Sequence, residues 1–199
     1  MAKRELIGIE IPAIRIERAE ITLIGDSPLI VHAWSQKAKD MMRNKQMKKA
    51  APAKEAKNPE QEFKDSLYGM GNGAFGFPSV GFKAAAVAAC RFADGIAMTE
   101  ARGAFHVEDE LVRIEGSPPK MREDMVRIGM GVADLRYRGE FWPWQVTLSI
   151  AYNANALSLE QIMNLFNTAG FGVGVGEWRP SSKGGGSYGR FHVAQSDEV

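Results

Sequence analysis

The chain has one cysteine, Cys90, in 199 residues, so it can form no internal disulfide and no thiolate-rich zinc site. A lone thiol in an alanine-rich apolar stretch reads as core packing and fits a reducing compartment. Histidine is equally scarce: His32, His106 and His192 are spaced too widely for a zinc motif, and no cofactor is expected. No apolar run approaches the ~20 residues that cross a bilayer, and the opening Met-Ala-Lys-Arg-Glu has no signal-peptide core behind it. A cytoplasmic protein without a membrane partner is the expectation. Net charge is nearly absent too, at +1 from 25 basic and 24 acidic residues. Attraction for a polyanion must then come from local clustering and not from the whole molecule's field. Neither a Ser-His-Asp order nor the Gly-Lys-Ser/Thr ending of a phosphate loop is found.

Local clustering is present. Between Lys37 and Lys57 stand eight cations (Lys37, Lys39, Arg43, Lys45, Lys48, Lys49, Lys54, Lys57) against Asp40 and Glu55, a local net of +6. Helix formers dominate this stretch but build little apolar stripe, so it reads as a solvent-facing excursion. The second concentration is glycine. Eight glycines lie between Gly170 and Gly189, interleaved with Trp178, Arg179, Lys183 and Tyr188. Absent side chains let backbone amides approach a phosphate or another backbone, while cations and rings add charge and stacking surface. A flexible surface loop is the plainer alternative.

Residues 19–24 alternate polar and apolar as a half-buried strand does, and Gly25-Asp26-Ser27-Pro28 punctuates them. Pro59, Phe63, Leu67 and Tyr68 mark a short amphipathic piece, followed by a glycine cluster (Gly69, Gly71, Gly73, Gly76) that reads as mobile. From Pro78 the pattern is helical, with Ser79 as its cap and Phe82, Ala86, Ala89, Cys90 and Ala93 on one face. Strand segments follow at 104–107, 111–115, 125–128, 135–138 and 144–152. Trp142 and Trp144 flank Pro143 as anchors to the core or to a neighbouring subunit. Ser158-x-x-Gln161 opens a helix that ends at Gly170, and residues 190–195 close as a strand. Stripped of insertions, the order is strand, helix, strand, strand, helix, strand. This predicts an α+β, ferredoxin-like (RRM-like) βαββαβ core in a single domain over 1–199, with 35–76 inserted and a glycine-rich loop before the last strand.

Three local patterns carry a family resemblance. They are Ser27-Pro28-Leu29 ending the first strand, the Phe77-Pro78-Ser79-Val80-Gly81-Phe82-Lys83-Ala84-Ala85 helix start, and the terminal Gly-x-Gly-Glu-x-Arg and Gly-x-Tyr-Gly-Arg-Phe run over 174–191. Together they resemble the RAMP superfamily of CRISPR-associated proteins, whose helix start is of Pro-Gly-Ser-Ser-Leu-Lys-Gly type and whose glycine-rich loop precedes the last strand. A single core with an insertion after the first strand is similar to the backbone subunits of CRISPR effector complexes, although this chain is short for one. The resemblance implies an antiviral-defence or standalone phage protein that coats RNA or single-stranded DNA as a filament. Self-association and other complex subunits would be its partners.

Lys83, Arg91, Arg136, Arg138, Arg179, Lys183 and Arg190 join the basic excursion as candidate phosphate contacts. Each could equally be an ordinary solvated charge. Trp178, Tyr188 and Tyr137 either stack on bases or pack beneath the loop. His32 is either structural or, by the same resemblance, the general base of a metal-independent endoribonuclease. Asp26 reads as a turn former, and His106 and His192 as sheet residues. A capsid-type assembly module using glycines and aromatics without nucleic acid is the third reading.

Overall fold

A computed structural model describes residues 13–49, 56–128 and 131–198; Lys54 lies outside them. Among the described residues the chain is mixed α+β, with antiparallel sheets and five helices.

The predicted first strand is β1 (Ile16–Gly25), and β2 (Leu29–Val31) follows directly. The basic excursion contains α1 (Gln36–Gln46), capped by Ser35, whose hydroxyl accepts from Ala38 N. As read from its thin apolar stripe, α1 buries no residue, and it packs closely on no other element. Next, Asn58 caps α2 (Pro59–Asp65), with proline at the first helical position, where its missing N–H costs nothing.

The glycine cluster read as mobile is instead a hairpin, β3 (Tyr68–Gly71) and β4 (Ala74–Pro78). Asn72 and Gly73 have φ of 50° and 75°, the left-handed pair that a tight primed turn requires. Tyr68, Phe75 and Phe77 then pack on the core, so residues 68–76 belong to the body and are no excursion.

The alanine-rich helix is α3 (Ser79–Ala89). Ser79 is not its cap but its first residue, buried, with its N–H given to Glu110 O; Pro78 occupies the cap position and makes no side-chain cap bond. Then come α4 (Met98–Ala104), β5 (Phe105–Val107), β6 (Leu111–Arg113), β7 (Glu115–Gly116), and a long hairpin of β8 (Lys120–Ile128) and β9 (Val132–Phe141). The chain closes with β10 (Trp144–Asn153), α5 (Leu159–Gly172) and β11 (Phe191–Val193). Ser158 and Gln161 form the predicted capping box, while α5 runs one half-turn beyond Gly170.

The main sheet has the order β11-β1-β10-β5, with β7 also on β10. Its partners register as Leu23 with Val146 and Ile21 with Leu148. These alternate residues are buried, and α3 and α5 cover them through edge-to-face contacts of Phe82 on Phe191 (5.8 Å) and Phe105 on Phe166 (5.9 Å). Phe141 and Trp144 anchor the end of the sheet, each 2% exposed, whereas Trp142 between them is 44% exposed. Two smaller sheets, β2-β9-β8 and β3-β4-β6, stand beside the main one.

On the sheet's other face, Arg18, Glu20 and Thr22 of β1 stand opposite Ala151, Ser149 and Thr147 of β10. Arg18 is paired with Glu108 at 3.0 Å. Neither of these central strands presents an aromatic ring there, where an RRM-like sheet holds bases; the rings on this face are the imidazoles of His106 and His192 on the edge strands.

Candidate nucleic-acid interface

The glycine-rich segment is tied down, against the plainer alternative of a flexible loop. Gly189 N donates to Pro28 O (2.8 Å), Glu177 N to Ile30 O (2.9 Å), Val175 N to Gly189 O (2.9 Å), and Asp26 N to Arg190 O (2.8 Å). Ser27, buried behind it, accepts from Arg190 N with its hydroxyl (2.9 Å) and from Trp144 Nε1 with its carbonyl (2.8 Å). Two glycines show why. Gly176 (φ 76°) comes against Ile30 O, and a Cβ at Gly189 (φ 62°) would stand 1.7 Å from Val175 O. Their small size serves backbone-on-backbone packing; Gly184 and Gly185 at the tip face open space.

Between this rigid loop and α3 lies a cleft of about 370 Å³. Gly81, Ala84 and Ala88 form one wall, and Gly174, Gly176, Glu177 and Arg179 the other; His32 and Tyr68 also line it. A second cleft, about 790 Å³, separates α1 from α2 and the Arg136–Tyr137 stretch of β9. His32 lines both.

At their junction, His32 Nδ1 lies 3.6 Å from Glu177, and Arg138 lies 3.9 Å from the same carboxylate. His32, followed by Arg138 and Arg179, holds Glu177 below the usual carboxylate range despite its partial burial. The Tyr68 hydroxyl donates to His32 O at 3.4 Å, and burial, aided by the Glu177 charge, raises the Tyr68 pKa.

The predicted cations divide. Lys37 lines the second cleft, and Lys39 a neighbouring hollow of about 500 Å³ beside Trp34 and Tyr68. Among the described residues Lys39, Lys45, Lys48 and Lys49 make no ion pair, while Arg43 is held by Asp40 at 2.8 Å. Lys57 is paired with Asp134, which Arg136 also reaches at 3.1 Å. Arg179 lines the first cleft and gives hydrogen bonds to Gly176 O (2.8 Å) and Ser181 Oγ (3.2 Å). Lys183 is exposed at the loop tip, Arg91 is exposed after α3, and Arg190 is half-buried with Nε on Ser187 O.

Two predicted contacts are placed elsewhere. Lys83 turns away from the clefts to His106 Nδ1 (3.1 Å) and the Phe105 ring, and burial lowers its pKa. Arg138, 6% exposed, is internal between Asp124 and Glu177. The aromatic candidates divide as well. Arg122 covers Tyr188, Trp178 is 38% exposed with φ 57° and lines neither cleft, and Tyr137 faces the second cleft.

Sequence reading missed the ion network behind the loop. Arg122 bridges Glu140 (2.7 Å) and Asp124 (2.8 Å) and donates to the Tyr188 hydroxyl (3.2 Å). Burial works against the Arg122 charge, but Glu140, Asp124 and Tyr188 outweigh it and raise the pKa. The signal was available: Arg122-x-Asp124 and Asp134-x-Arg136-x-Arg138-x-Glu140 have the period of two that places charges on one face of a hairpin.

No protein-family model matches this chain, and no curated protein matches it either.

Proposed function

We propose that this protein binds single-stranded nucleic acid, RNA or single-stranded DNA, without sequence preference, and assembles side by side along the strand. The observation that carries this reading is the pair of clefts that share His32 as a lining residue, one lined by Lys37 and the other by Arg179, with Lys39 in the hollow beside them. A groove with cations along it and glycine and alanine walls admits a backbone and its bases while contributing few base-specific contacts. The element order and the β11-β1-β10-β5 path, with α3 and α5 on one face, support a ferredoxin-like core. With the Ser27-Pro28, helix-start and glycine-loop motifs, they support a RAMP-type subunit of an RNA-guided defence complex or a phage relative. The strand follows the clefts, since the central strands β1 and β10 carry no ring on the main sheet's open face.

Electrophoretic mobility and fluorescence anisotropy with a mixed-sequence 30-mer test the reading. Combined Lys48→Glu, Lys49→Glu, Arg179→Glu and Arg190→Glu lowers affinity by more than ~100-fold at moderate salt, and each lost phosphate contact reduces the slope of log K against log salt by about 0.7. Unchanged affinity overturns the proposal. Purified protein running as a large, nuclease-sensitive particle, with the co-purified strand sequenced, distinguishes RNA from DNA; particles indifferent to nuclease point to the assembly-module reading.

Glu177 beside His32 favours a second reading, metal-independent RNA cleavage with the carboxylate orienting the imidazole as general base. Cleavage of short RNA hairpins in EDTA, lost in His32→Ala, supports it; absence of cleavage across a broad RNA panel removes it.

A further inference from the structure

The cleft between α1 and α2 has a composition that phosphate binding does not explain. Trp34 is 61% exposed at its mouth, and Met41, 49% exposed, lines the same space. A lone exposed ring is ordinary, but here an indole, a thioether and the Tyr137 ring line one cavity and give it polarisable walls. Tyr137 stands opposite Glu123 across the β8–β9 pair.

The polar groups are oriented as well. Asn58 accepts from Gln61 N with Oδ1 (3.1 Å), which leaves its NH₂ as a donor. Gln61 donates Nε2 to Asp65 (2.8 Å), which leaves its carbonyl oxygen as an acceptor. Two side-chain amides three residues apart, at the cap and in the first turn of α2, thus leave one free donor group and one free acceptor among the cleft's lining, the complement of a heterocycle edge. The facing wall, α1, buries nothing and can adjust to an occupant at little cost. At about 790 Å³ the space is within the range of small-molecule sites.

We propose that this cleft takes one unstacked nucleobase per subunit, its ring laid on Trp34 and its edge toward Asn58 and Gln61. The inference rests on the single-strand reading above. Arg136, which lines the cleft while paired with Asp134, is the cation beside it for the attached phosphate.

An RNA oligonucleotide carrying 5-iodouridine at successive positions, irradiated on the nucleic-acid-free protein and mapped by mass spectrometry, tests the site. Crosslinks fall on Trp34 or Tyr137, and Trp34→Ala lowers affinity roughly 5- to 150-fold, the worth of ~1–3 kcal/mol per stacked base. Tyr137→Phe keeps the ring and retains binding. If the wild type binds RNA but crosslinks fall only elsewhere and Trp34→Ala binds as the wild type does, the base site is wrong and the strand-binding reading stands. If the wild type binds no strand, both fail.

Discussion

Arg122 sits with its guanidinium 4.7 Å from the centre of the Tyr188 ring and donates to that ring's hydroxyl, joining the β8–β9 hairpin to the glycine-rich loop. The same guanidinium neutralises Asp124 and Glu140, so three chain segments meet on one side chain. Since Arg122 covers the ring, Tyr188 serves as a strut in this structure.

Arg122 and Arg138 are expected to behave oppositely when replaced. Arg122→Met leaves two largely buried carboxylates without their close partner and lowers stability by about 2–3 kcal/mol. Arg138→Met removes a side chain whose ion pairs are long, 3.6 and 3.9 Å. Among the described residues its Nε and one terminal nitrogen have no hydrogen-bond partner, so the change to an apolar side chain costs less than about 1 kcal/mol. Urea denaturation of both variants checks the contrast; equal losses would show that the long pairs matter as much as the short ones. Arg138 lines neither cleft, so strand affinity and its salt dependence stay unchanged in Arg138→Met.

Glycines of the loop divide by position. Gly189→Ala places a Cβ 1.7 Å from Val175 O at φ 62° and costs about 3 kcal/mol or more, with loss of the loop's attachment to Pro28. At the tip, where nothing lies within 4 Å, Gly184→Ala stays within about 0.5 kcal/mol of the wild type. Thermal melts of the two variants decide it, and a mild Gly189→Ala would return the loop to the flexible reading.

His192 predicts a pH response. Its Nδ1 lies 2.6 Å from Asp26 and its Nε2 3.2 Å from Glu198. Partial burial opposes the imidazolium, but Asp26 and then Glu198 outweigh it and raise the His192 pKa. A raised native value gives stability that is complete below the ordinary histidine value, ~6.5, and is lost as pH rises through the native one. Glu198 is shifted down, chiefly by the N–H of Gln195, so its contribution is lost instead as pH falls through its lowered value. Hydrogen exchange of the 195–198 turn is expected to speed up above neutrality beyond the intrinsic base-catalysed rise, and His192→Gln to flatten that excess. An unaltered profile in the variant would exclude the clamp as its source.

Local chemistry was legible in the chain itself. The alternation of β1, the capping box of Ser158 and Gln161, the mixed α+β character and the solvent-facing character of α1 follow from side-chain period and cap chemistry, which act within a few residues. Asn72-Gly73 was legible too, as a hairpin turn, but the surrounding glycines obscured it. What only tertiary structure decided is which cations are available. Arg122 lies 66 residues from Tyr188, and Arg138 and Lys83 are charges like any other until packing buries one and turns the other to His106. Ion pairing and burial depend on distances between segments that fold back from far along the chain. Residue type and spacing therefore named the cations, and the fold sorted them into those facing the clefts and those internal to the molecule.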